Sequence, residues 1–251
     1  MVDFLLISTR PTKRGTIEIY PRFKLYPKSS DLMIRGGDFY AVWLEEEGIW
    51  STDEQDALRL IDQELDKFAK ENSNKFDANV KVLHMWDSES GMIDAWHKYC
   101  QKQCRDNFHM LDEKLVWQNS EVNKKDYASK KLNYSLEPAE TPAYDKLMST
   151  LYTPEERHKI EWAIGSIVCG ASKKIQKFVV LYGSAGTGKS TVMNIIQMLF
   201  DGYYSVFDAK ALGSSSNSFA LEAFKTNPLV AIQHDGDLSR IEDNTRLNSL
   251  V

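Results

Sequence analysis

The chain has 251 residues, 42% hydrophobic and 27% charged, which suits a globular protein of one large domain or two modest ones. No apolar run approaches membrane-spanning length, and the opening run from Phe4 to Ile7 is too short for a signal peptide. Three cysteines, an odd number, argue against a disulfide framework and fit a reducing cytoplasm.

The formal charge of −5 is unevenly distributed. Residues 1–30 carry Arg10, Lys13, Arg14, Arg22, Lys24 and Lys28 against Asp3 and Glu18, and read as a basic N-terminal arm. Such an arm can touch a phosphate backbone, although solvated surface is the commoner use of a charge cluster. Residues 16–25 alternate and are rich in β-formers, which predicts an edge strand interrupted by Pro21. A hairpin is expected over 31–50, with Gly36 and Gly37 at its turn, a strand over 39–44, and Gly48 before Ile49 and Trp50. The acidic residues from Glu45 to Asp56 read as solvated surface. Ser51, Thr52, Asp53 and Glu54 make a helix start, and Leu58, Ile61, Leu65 and Phe68 mark one face of the helix that follows.

A second helix is expected from about 88 to 107. His97, Cys100, Cys104 and His109 carry the residue types of a zinc site, but the cysteine spacing is not that of a zinc knuckle. Ile93, Trp96, Cys100 and Cys104 also form an apolar stripe, so core packing is the preferred reading. From 111 to 136 the pattern is irregular, with Lys124, Lys125, Lys130 and Lys131 around Tyr127, and reads as a solvated loop. Pro138 and Pro142 mark a boundary, after which 143–151 and 153–169 predict two helices, the second capped by Thr153 with Pro154 at its first position. A mixed α+β domain over 31–150 and a nucleotide domain over 151–251 follow from this layout.

The most specific stretch is Gly183, Ser184, Ala185, Gly186, Thr187, Gly188, Lys189 and Ser190, followed by Thr191. It fits the phosphate-binding pattern G-x-x-x-x-G-K-[ST], which needs a strand before it and a helix after it. Phe178, Val179, Val180 and Leu181 read as a parallel strand buried on both faces, and Val192, Ile195, Ile196 and Leu199 recur at helical spacing. The glycines allow successive amides to face phosphate oxygens, Lys189 would bridge the terminal phosphates, and the Ser190 hydroxyl would ligate magnesium. A Ser-rich loop over 213–218, a short helix over 219–225 and a second apolar strand over 229–232 come next. Asp235 then stands where a P-loop enzyme orders magnesium, with Asp237 as the candidate for polarising water. The reverse assignment, or a helix-capping role for Asp237, stays open.

The order GSAGTGKST, a short Ser/Asn-rich loop, FALEAFKTNPLVAIQ and HDGDLSRIEDNT resembles the superfamily 3 helicase domain of phage and poxvirus primase-helicases. Upstream, RGGDFYAVWLEEEGIW and LVWQNSEVNKKDYASKKLNYSLEPAETPAYDKLM resemble the mixed domain that precedes that motor. The resemblance covers most of the chain from about Ser30 and implies an α/β P-loop NTPase of AAA+-like fold, C-terminally incomplete, behind the α+β domain. It also implies ATP and Mg2+ as cofactors, and single-stranded DNA and a primase or other replication proteins as partners. The complete protein would be a hexameric ring in the host cytoplasm. In that family the second acidic motif is followed by a DNA-gripping hairpin, a sensor residue and an arginine finger. These are expected to be missing before Val251, and Arg240 and Arg246 sit too close behind the acidic motif to replace the finger. The expected function is ATP-dependent DNA unwinding in phage replication. A non-catalytic nucleotide- or DNA-binding piece acting with a downstream chain is the alternative, and a P-loop kinase ranks below both.

Overall fold

The computed structural model describes residues 2–24, 29–35, 39–76, 79–87, 90–102, 109–212, 221–225 and 228–234. The chain divides into two compact units, one made of Met1–Leu111 and Val122–Ser129, the other of Asp112–Glu121 and Lys130–Val251. The division falls earlier than the expected boundary near 150, because residues 130–151 pack with the second unit.

In the first unit, β1 (Leu5–Pro11) and β2 (Ile17–Phe23) pair antiparallel, with Leu5 opposite Phe23 and Pro11 opposite Ile17. The region expected to be an arm is therefore a strand pair joined by a turn at Thr12–Gly15. β3 (Leu32–Arg35), β4 (Phe39–Leu44) and β5 (Ile49–Ser51) form a second antiparallel sheet. The expected turn at Gly36 and Gly37 lies outside the described residues. α1 (Glu54–Glu71) starts at Asp53, whose side chain accepts from the Gln55 N–H at 2.9 Å. β6 (Val80–Val82) returns parallel to β2, and α2 (Met92–Lys102) closes the unit.

β2 is thus central in the order β1-β2-β6, contrary to the edge position that Pro21 suggested. The register removes the conflict. Lys24 N donates to Phe4 O, so even-numbered β2 residues exchange bonds with β1 and odd-numbered ones face the β6 side. β6 pairs only with Ile17–Ile19. Pro21 therefore has no ladder bond to lose.

Leu5, Ile19, Leu32, Val42, Ala57, Leu58, Ile61, Leu65, Met85, Trp96, Tyr99 and Cys100 form one core between these sheets and helices. Met33, Ala41, Trp43 and Trp50 make a smaller cluster against Tyr127. The residues around Tyr127 are not a solvated loop. Its ring stacks on His109 at 4.1 Å between centroids, Trp50 donates to Lys124 O at 2.9 Å, and Ala128 is buried.

The second unit contains α3 (Pro142–Leu151), α4 (Pro154–Val168), α5 (Ser172–Ile175), α6 (Lys189–Leu199), β7 (Tyr204–Val206), α7 (Ala209–Leu212) and β8 (Val230–Ile232). α4 begins with a complete capping box. Thr153 Oγ1 accepts from Glu156 N, and the Glu156 carboxylate accepts from Thr153 N at 2.9 Å. β7 and β8 pair parallel, Tyr204 opposite Val230. Residues 222–224 form a single 3-10 turn where a short helix was expected, and the Ser-rich 213–218 lies outside the described residues.

The run 178–182 departs most from expectation. It is in no strand, Phe178, Val179 and Val180 are each more than half exposed, and Tyr182 is 98% exposed. A strand forms only where other backbone takes its N–H and C=O groups. The parallel partner that β8 takes among the described residues is β7, and not this run.

Candidate nucleotide-binding site

The loop 183–190 is positioned by α6, and α6 by α3 and α4. Val192 is buried with Met148 of α3 and Ile160 of α4, while Ile164 and Ile196 pack against the same cluster. At its far end, Tyr134 donates through its hydroxyl to Leu199 O at 2.6 Å, satisfying one of the helix's last carbonyls. Leu199 and Ile196 also pack on the cluster of Leu132, Phe200 and Tyr203. Tyr203 is itself tied down, donating to Lys130 O at 2.8 Å and accepting from Val116 N, and burial pushes its pKa up to about 12.

Gly188 is the N-cap of α6 in a left-handed conformation, φ 80°. The left-handed backbone requires glycine, and a Cβ there would lie 2.6 Å from Leu151 Cδ1, so the end of that side chain would have to shift. Gly186 is left-handed as well, with open space around it. Lys189 curls back into the loop. Its Nζ donates to Gly183 O at 2.9 Å and Ser184 O at 2.6 Å, and lies 3.3 Å from Thr187 Oγ1. Thr187 Oγ1 in turn donates to Ser184 O at 2.9 Å. Ser190 and Thr191 are exposed in the first turn of α6, and residues 183–187 are exposed too. The sequence pattern names Lys189 and Ser190 directly. Leu151, which props the loop from outside the motif, gives no local signal.

The structure gathers these loop residues. Asp235 and Asp237 lie outside the described residues, as do Arg240 and Arg246. The last described residue before them, His234, has its Nε2 3.1 Å from Nε2 of Gln197. Gln197 is eight residues beyond Lys189, about 12 Å along the α6 axis. The His234 side chain therefore lies beside the second half of α6.

The described residues among those weighed for zinc form no cluster. His97 Nε2 is 2.7 Å from Glu54 Oε1 on the surface, whereas Cys100 is buried in the first unit's core. Burial pushes the Cys100 thiol up to about 12, which keeps it protonated at neutral pH. Cys104 lies outside the described residues, and among the described residues no cluster of His, Cys, Asp and Glu could hold a metal ion. No helix among them is long and apolar enough to cross a membrane. No protein-family model matches this chain, and no curated protein matches it either.

Proposed function

We propose that the chain binds magnesium-ATP at residues 183–190 as part of a superfamily 3-type motor, in which ATP hydrolysis is coupled to movement along single-stranded DNA. The observation that carries this reading is the Lys189 ammonium held inside a glycine loop that opens directly into α6. Its present partners are neutral carbonyl and hydroxyl oxygens. A phosphate oxygen is a stronger acceptor for an ammonium, and the start of a helix favours the same anion. The residues present fit a triphosphate: two left-handed glycines, an exposed loop, and an exposed Ser190 hydroxyl in the helix's first turn. Magnesium would be held by Ser190 with Asp235, leaving Asp237 to polarise water. Assembly as a hexameric ring beside a primase belongs to the same reading and rests on the sequence resemblance.

Titration of the chain with a fluorescent ATP analogue tests the site. Lys189→Ala is expected to abolish saturable binding while leaving the circular-dichroism melt unchanged, because the lysine contacts only the exposed loop. Equal affinity in wild type and variant overturns the reading.

A further inference from the structure

The sheet β1-β2-β6 has one face packed under α1 and α2 and one face turned away from them. Ile19, Pro21 and Leu5 point inward, and Ile19 and Leu5 belong to the core. Directly paired residues share a face, so the register places Leu6 with Arg22, Ser8 with Tyr20, and Arg10 with Glu18 and Lys81 on the opposite side. The Thr12–Gly15 turn adds exposed Lys13 and Arg14 at one end.

This face has an unusual chemistry for a chain of net charge −5. Among the described residues, five cations lie around one carboxylate, Glu18, which is 2.7 Å from Arg10 Nε. Arg22, Lys81, Lys13 and Arg14 make no ion pair among the described residues, and Arg22 and Lys81 are exposed. Between the cations lie Tyr20, with the Arg10 guanidinium carbon 5.1 Å from its ring centroid, and Leu6, 44% exposed. From the Arg10 position to Arg22 the track runs about 13 Å along the strands.

We propose that this face is a binding platform for single-stranded nucleic acid, taking about two or three nucleotides. Bases stack on Tyr20 and on the Arg10 guanidinium, while Arg22 and Lys81, with Lys13 and Arg14 at the turn, meet successive phosphates. Sequence tolerance follows, since stacking on a tyrosine face and pairing of cations with phosphates read no base edge. A duplex suits it less, because its bases are not open to a flat sheet. The platform belongs to the first unit and the phosphate loop to the second, and neither stacking on Tyr20 nor the phosphate contacts call for ATP.

Fluorescence anisotropy of the full chain with oligothymidylate and oligouridylate of about 16 nucleotides, without nucleotide, tests it. Tyr20→Ala is expected to weaken binding by about fivefold or more, and Tyr20→Phe to stay within about twofold of wild type. Arg22→Gln with Lys81→Gln should lower the slope of log affinity against log salt by about 1.4, two phosphate contacts' worth for a single strand. Binding of either sugar with these dependences supports the platform. Absence of binding, or binding that ignores Tyr20 and keeps its salt slope, overturns it, as does equal affinity for heparin with no loss in Tyr20→Ala. Circular-dichroism melts of each variant separate these effects from misfolding. Because the assay contains no ATP, its result is distinct from success or failure at Lys189.

Discussion

The two units solve the burial problem differently. In the first, one large cluster joins both sheets and both long helices, and a smaller one gathers Met33, Ala41, Trp43 and Trp50. In the second, two smaller clusters hold α6 at its two ends, while Phe178, Val179, Val180 and Tyr182 stay exposed just ahead of the loop. Hydrophobicity makes burial favourable, but only a neighbouring element supplies the place: Leu181 packs on the cluster of Met148, Ile160 and Val192, while Phe178, Val179, Val180 and Tyr182 stay exposed.

The largest effect that sharpens this contrast is expected in the first core. Leu65 is fully buried on α1, so Leu65→Ala should cost about 2–5 kcal/mol by urea denaturation. A cost below about 1 kcal/mol would mean that the cluster repacks freely. Next comes Thr153→Ala, which removes both hydroxyl contacts of the capping box on α4 and should cost about 1 kcal/mol. That helix start is local, so the loss should be visible in the second unit without help from distant packing.

Asp62 tests the first core from the opposite direction. Burial pushes its pKa up, against the hydrogen bond its carboxylate accepts from Met85 N at 2.7 Å. The folded state therefore keeps this proton to higher pH than the unfolded chain. Ionisation costs stability above the usual carboxylate range, and that cost fades as pH falls below it. Asp62→Asn keeps an oxygen for Met85 N and removes the charge. It should melt above wild type at neutral pH, with the gap closing at about pH 3. A gap that is constant with pH would mean that the charge is not the cause.

The smallest effect is the one most able to break the comparison. Val179 is 59% exposed, so Val179→Asp should change stability by no more than about 0.5 kcal/mol. A loss of several kcal/mol would place the run in a buried strand, as its sequence pattern predicts.

Much of the site was legible in advance because its signals are short-range. Gly188, Lys189 and Ser190 are adjacent, and the left-handed cap, the curled ammonium and the start of α6 follow from neighbours within a few residues. Leu151 was illegible, since its contact with Gly188 depends on where α3 packs and not on any motif. His97 and Cys100 look like neighbours at helical spacing, yet one faces Glu54 on the surface and the other faces Trp96 and Tyr99 in the core.

The amino-acid sequence by itself determined where α1, α4 and α6 begin, through Asp53, Thr153 with Glu156, and Gly188. A helix closes its hydrogen bonds within its own segment, so a cap and a periodic face suffice to announce it. The tertiary structure alone decided that β2 is central despite Pro21, that β7 pairs with β8, and that residues 178–182 remain unpaired in the described structure. A strand's hydrogen bonds lie in another part of the chain, and no local pattern states which part will supply them.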